Sequence, residues 1–567
     1  MKVVIVGGVA GGATAAARLR RLDEQAEIVI FERSGYISYA NCGLPYYIGD
    51  VIVEPEELTL QTPESFYSRF RIDARVRHEV TAIHPDSKTV SVKNLETGEN
   101  FTESYDKLIL SPGAKPTQPR LPGVHMDKVF TLRTVEDTFR IKEYIKQNGP
   151  QSVVLAGGGF ISLELAENMK ELGMDVTIVQ RPKQLMNLFD PDMAAFIHNK
   201  VRKHGIKLAL GHTVEGFEEK DGGVDVLLKD AEPLHGDMVI LAIGITPDTA
   251  LAKGAGLELG LKESIVVNDR METSIPDIYA AGDAVQIKHY VTGEDVLISL
   301  AGPANKQGRI IADNICGGDS RYLGSQGSSV IKIFDMTAAN TGINETVAKK
   351  SGLDVDTVVL SPMNHAGYYP GGTVMVMKVV FEKETYRLLG AQIIGYEGVD
   401  KRIDVLATAI HAGLKATQLK DLDLAYAPPY SSAKDPVNMA GFMIDNIAKG
   451  ILKQWHIEDA DELPRDGSVT LLDTRTTKEF SRGHIEGFKN IPVDELRDRL
   501  DEIKKGKPVY VICQSGLRSY IASRILEGSG YEAYNFSGGF RFYDTVMNDR
   551  VLIQQAFSCG MDKEAVE

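Results

Sequence analysis

The chain opens on a short apolar run, Val3–Val6, closed by Gly7-Gly8. An alanine-rich stretch, Ala13–Arg21, and a second apolar run, Ile28–Phe31, follow. Continuous apolar runs bounded by glycine predict buried strands, and the stretch between them predicts a helix. Strand, turn, helix and strand in that order open a doubly wound α/β domain. The pattern recurs over 152–179, where VVLAGGG leads into a helix rich in Ala, Leu and Glu and then the strand VTIV. Two such units predict two Rossmann-like domains and exclude a short-period solenoid.

Beyond about residue 325 the texture changes to longer strand-like runs, SSVIKIF, GTVMVMKVVFE and RLLGAQIIG. A helix, VDKRIDVLATAIHAG, and a Tyr/Pro-rich stretch, AYAPPYSSAKDP, come next, predicting an α+β domain over 325–445. Residues 446–466 are charged, hold the one tryptophan and read as a linker. From 467 a separate βα alternation begins with VTLLDTR, predicting a C-terminal α/β domain over 467–567.

At 567 residues the chain exceeds one hydrophobic core, in keeping with about three or four domains. A net charge of −15 argues against a general nucleic-acid binder, which needs a basic surface. Four cysteines, none at metal-ligand spacing, form neither a disulfide framework nor a metal site, so no metal is expected. Such sparse use suits a reducing compartment. With no basic n-region before the first strand and no apolar run of about 18 residues, the expectation is a cytoplasmic protein with no membrane and no nucleic-acid partner.

Gly7, Gly8, Gly11 and Gly12 lie between strand and helix, and Glu32 closes the next strand. Glycines admit a pyrophosphate, the helix start offers free N–H groups, and the carboxylate takes a ribose hydroxyl. Val9 replaces the middle glycine of the usual fingerprint. The second match has Gly157 and Gly159, with Ser162 in the third place. Its second strand ends in Gln180-Arg181, without an acid. Acid there favours NADH and arginine accepts a 2′-phosphate, so NADH and NADPH both stay open; an exposed arginine unrelated to the cofactor is the alternative.

Two further segments, YDKLILSPGAKP at 105–116 and TSIPDIYAAGD at 273–283, complete an ordered set with AIGITPDT between them. The set resembles the flavoprotein disulfide reductases. The resemblance implies an FAD-binding domain over 1–115 and 246–324, with Pro112, Gly113 and Asp283 at the flavin, and an NAD(P)H-binding domain over 116–245. It also implies a homodimer, with the 325–445 region at the interface.

Cys42 lies in SYANCGLPYY, where that family puts its redox cysteine. A two-cysteine centre would read C-x-x-x-x-C, but position 47 is tyrosine. Cys42 must therefore pair with an external sulfur or become a sulfenic acid. SYANCGLPYY together with GGVAGGATAAARLRR resembles the coenzyme A-disulfide reductases, including forms fused to rhodanese. By that resemblance Thr14, Arg18, Arg21, Ser38 and Asn41 line a coenzyme A site. Arg18 and Arg21, at i and i+3, could share a phosphate; a solvated basic face is the alternative. Tyr426 and Lys434 match positions that the family assigns to flavin and coenzyme A, and Tyr368 is a candidate second tyrosine reached from the partner subunit. A tyrosine there could serve as hydrogen-bond donor or proton source.

At the C-terminus, LLDTRTTKEFSRGHIEGFKNIP resembles the rhodanese signature, and VYVICQSGLRS puts Cys513 at the end of a strand. Cys513 to Arg518 forms a six-residue loop whose inward N–H groups would stabilise a thiolate and its persulfide. Cys316 and Cys559 lack such context; Cys316 reads as structural. The expected activity is FAD-dependent reduction of coenzyme A persulfide, polysulfide or coenzyme A disulfide by NAD(P)H through Cys42, with Cys513 handling sulfane sulfur. An NADH oxidase cycling through sulfenic acid, and a sulfur-carrier and partner-binding protein, are the alternatives.

Overall fold

A computed structural model describes residues 1–554; Cys559 lies outside them. Among the described residues two compact units emerge, one of Met1–Lys183 with Gly205–Gly327, the other of Gln184–His204 with 328–554.

The first unit holds two five-stranded sheets. One runs Ile278–Ala280, Lys107–Leu110, Lys2–Val6, Glu27–Glu32, Asp73–Val76, every pairing parallel. The other runs Val129–Thr131, Met238–Leu241, Ser152–Ala156, Asp175–Gln180, Lys207–Leu210, also parallel throughout. Parallel strands are covered on both faces, which is why they read as unbroken apolar runs; Val3, Val4 and Ile5 are wholly buried. Both sheets end their first strand alike. Gly7 and Gly157 have φ of +95° and +121°. A Cβ at Gly7 would stand 2.1 Å from Ser111 O and one at Gly157 2.2 Å from Ala242 O, so each turn needs glycine.

In the second unit an antiparallel sheet runs Ser329–Ile333, Met336–Gly342, Leu388–Gly395, Val376–Glu382, Val355–Leu360. Lys378, on its fourth strand, is buried with Nζ 2.7 Å from Asp192, 2.8 Å from Glu345 and 3.2 Å from Asp190. The helix Pro191–Lys203 carries Asp192 and belongs to this unit. A further parallel sheet runs Gln454–Trp455, Ala533–Phe536, Val509–Ile512, Thr470–Asp473, Lys489–Asn490. Its edge strand lies inside the stretch expected as a linker. Trp455 draws it in: the indole is 2% exposed, lies 4.3 Å from the Phe536 ring and donates to Val511 O. Among the described residues no helix is long and apolar enough to cross a membrane.

Candidate active site

The turn after the first strand delivers Gly7 and Gly8 against Glu32, with Gly11 and Gly12 in the first turns of the helix Ala10–Leu22. Glu32 is buried, and its two carboxylate oxygens accept from Gly8 N and Ser34 N, each at 2.9 Å. Beside it lies a cavity of about 280 Å³ lined by Val6, Gly7, Glu32, His78, Val80 and Pro112. Glycine turn, carboxylate and open cavity fit the adenosine half of a dinucleotide. Further along, Asp283 accepts from Arg133 Nη2 at 2.6 Å, and that arginine lies 3.6 Å from where a Gly113 Cβ would stand. Neighbouring Gly282 N donates to Gln307.

In the second turn Gly159 is open, with nothing within 4 Å of a Cβ position, so a ligand can reach its backbone. Ser162 is fully buried, and its Oγ has no hydrogen-bond partner among the described residues. Gln180 is half-buried and Arg181 exposed.

Cys42 sits in the short turn Asn41–Gly43, just before the helix Leu44–Ile48 that Pro45 starts. Its side chain meets solvent. The surrounding protein and the carboxylates of Glu164 and Asp283 push its thiol up, with Arg133 opposing. Tyr47, at the place of a second redox cysteine, is buried beneath Lys142 Nζ, 3.8 Å from its ring centre. Composition and spacing gave no sign of Glu164. It projects from the helix Phe160–Glu171, hydrogen-bonds Tyr46, and is raised to about 7 by burial and by the Glu167 charge.

The predicted coenzyme A residues are divided. Thr14 Oγ1 donates to Asn305 at 2.6 Å, and Arg18 Nε donates to Asp313 at 2.7 Å, both partners lying on the helix Ala301–Ile315. Arg21 is exposed and makes no ion pair among the described residues. The two arginines thus answer to different surroundings, and Asn305 and Asp313 were not foreseen. Ser38 takes a left-handed φ of 45°, and Asn41 is half-buried beside Cys42. Cys316, read as structural, is exposed.

In the second unit Tyr368 and Tyr426 meet hydroxyl to hydroxyl at 2.8 Å, both well exposed, and the contact pushes Tyr426 up. Lys434 is exposed on the loop that follows. A residue missed in the sequence holds this region together. Buried Arg402 donates to Asp435 at 3.0 Å, to Asn364 O at 2.8 Å and to Ser431 Oγ at 3.2 Å, tying the loops that carry the two tyrosines.

Cys513 is buried at the end of the strand Val509–Ile512, where its sulfur accepts from Gly516 N at 3.1 Å and Ser519 Oγ at 3.2 Å. The turn leads into the helix Leu517–Gly528, so the sulfur faces a helix start. Phe540 N donates to Cys513 O, bracing the loop from behind. Arg518, which closes the six-residue loop, is paired with a carboxylate. Its guanidinium makes two 2.7 Å bonds to Glu479, which hold that carboxyl down to about 2.

The chain matches the model of the pyridine nucleotide-disulphide oxidoreductases over residues 1–308, their dimerisation domain over 328–436, and a rhodanese-like domain over 456–544. The chain belongs to the pyridine nucleotide-disulphide oxidoreductase family. It carries a rhodanese-like domain in addition. It is 38% identical to a coenzyme A disulfide reductase of Staphylococcus aureus, over 78% of this chain and 99% of that one. Among solved structures, reduced CoADR-RHD of Bacillus anthracis is 48% identical with a TM-score of 0.94, over 97% of this chain and 98% of that one. An NAD-dependent persulfide reductase of A. fulgidus is 37% identical with a TM-score of 0.90, over 96% and 100%. An FAD- and NAD(P)H-dependent oxidoreductase follows from this membership.

Proposed function

We propose that this protein reduces a coenzyme A persulfide, a polysulfide or coenzyme A disulfide, with Cys42 as the attacking thiol and Cys513 as a sulfane-sulfur carrier. The exposed Cys42, with Tyr47 where a resolving cysteine would stand, carries the reading. The Cys42 thiolate attacks the sulfur of the acceptor, forming a mixed disulfide and expelling sulfide or a thiolate. FAD and the pyridine nucleotide, when bound, supply the two electrons that return Cys42 to the thiolate and release its bound partner. Thr14, Arg18, Arg21, Ser38, Asn41 and Lys434 are the groups for coenzyme A. In this reading the Tyr368–Tyr426 pair is the proton source for the departing thiolate. Cys513, held by Gly516 and Ser519, keeps a persulfide close by simple tethering. A homodimer, built through the domain at 328–436, and a cytoplasmic setting complete the proposal.

The test compares the purified enzyme with Cys42→Ser and Cys513→Ser on coenzyme A persulfide, polysulfide, coenzyme A disulfide and oxygen. Loss of sulfur reduction in Cys42→Ser alone, with slow oxygen use by the parent, is expected. Full activity in Cys42→Ser would sink the assignment.

A further inference from the structure

The two nucleotide-binding repeats of the first unit are built alike up to one position. In the first, Gly7 N bonds Phe31 O at 2.9 Å, and the next residue, Glu32, folds its carboxylate back onto Gly8 N. In the second, Gly157 N bonds Val179 O at 2.8 Å, and the next residue is Gln180. Topology therefore pairs Glu32 with Gln180 and Arg33 with Arg181. An acid at this place accepts from a ribose 2′-hydroxyl and repels a 2′-phosphate; a neutral residue followed by cations does neither.

The cations are present. Arg181 is exposed directly after Gln180. Lys183 lies along the end of the adjacent strand, its Cγ 3.2 Å from where a Gly211 Cβ would stand. His212 follows, its N–H donating to Gln180 O at 3.2 Å. Arg33 in the first repeat is held by Asp248 at 2.8 Å. Among the described residues, neither Arg181 nor Lys183 has an ion-pair partner, so both keep their charge for something outside the chain. A dianionic phosphate on the ribose edge matches two cations and no acid.

We propose that Arg181 and Lys183 bind the 2′-phosphate of NADPH, and that this protein takes NADPH in preference to NADH. The proposal rests on the second repeat being the pyridine-nucleotide site. The NAD dependence in one relative's name describes that relative; the family spans pyridine nucleotides as a class, and the end of this strand makes the choice here.

Titration calorimetry of the FAD-loaded protein with 2′,5′-ADP and with 5′-AMP isolates the phosphate, since the two ligands differ by that group. The first is expected to bind at least about tenfold more tightly, and the Arg181→Ala/Lys183→Ala variant is expected to bring the two to parity. In turnover, the kcat/KM ratio of NADPH to NADH should exceed about ten and fall to about one or below in the same variant. Installing an acid, Gln180→Asp, should lower the ratio as well. Equal binding of the two ligands by the parent protein, or a parent ratio favouring NADH, would overturn the proposal. Loss of both ligands to the same degree in the variant would also overturn it, because the cations would then hold the nucleotide as a whole. Failure of the parent to bind either ligand would remove the underlying reading too, a result readily told apart from indifference to the phosphate.

Discussion

The chain holds two sulfur sites of opposite design. Cys42 is exposed, has no donor to its sulfur among the described hydrogen bonds, and is pushed up first by the surrounding protein and then by Glu164 and Asp283, against Arg133. Cys513 is buried, with a backbone N–H and a serine hydroxyl already aimed at its sulfur. The difference separates two tasks. A sulfur that stores sulfane sulfur needs its stabilising groups built in, whereas one that turns over can take its stabilisation from what binds beside it.

The comparison breaks most visibly at Cys42 itself. Cys42→Ser should lower NAD(P)H-linked reduction of a sulfur acceptor by about three orders of magnitude or more, while Cys513→Ser should keep most of it with soluble acceptors. Similar losses in both variants, measured as kcat, would mean the sites are not separable. Next in size, Ser519→Ala removes one donor from Cys513. A hydrogen bond to a charged group contributes about 1.5–3 kcal/mol, so sulfur loading of Cys513 should slow about tenfold, with Cys42 alkylation as the internal control.

A smaller effect tests the electrostatics of the exposed site. Glu164 titrates at about 7, so it is charged over the range in which a thiol ionises, and its charge opposes the Cys42 thiolate. Glu164→Gln should therefore move the midpoint of Cys42 alkylation to lower pH; a midpoint unmoved or moved upward would refute the coupling. The smallest effect lies at Glu479. Its folded-state value of about 2 is below the ordinary 4.5, so the stability it contributes is present above pH 4.5 and is lost as pH falls through about 2. Glu479→Gln should cost about 1 kcal/mol at neutral pH and flatten acid unfolding in that window, as followed by denaturant melts.

What the sequence disclosed was whatever local geometry alone demands. Gly7 and Gly157 are legible because a left-handed turn pressed against a carbonyl tolerates no side chain, and Cys513 because strand, cysteine and short loop are contiguous. Arg402, Glu164 and Asn305 were not legible. Each sits on a helix at a position no motif specifies, and its meaning comes from partners far along the chain, Asp435 and Asn364 for Arg402, Tyr46 for Glu164, Thr14 for Asn305. Buried Lys378 is the same case, since three carboxylates converge on it from separate segments. Residues 446–466 misled for a related reason: charge marks a solvated stretch, but one tryptophan suffices to draw two residues into a sheet.

That tryptophan is the only one in the chain, and its ring nitrogen donates to Val511, two residues before Cys513. Excited at the red edge of protein absorption, the molecule therefore emits from one place. Its fluorescence follows the rhodanese-like sheet alone, so melting of this sheet can be read apart from the nucleotide-binding unit in the same cuvette. Sulfur loading at Cys513 has an optical witness already in position.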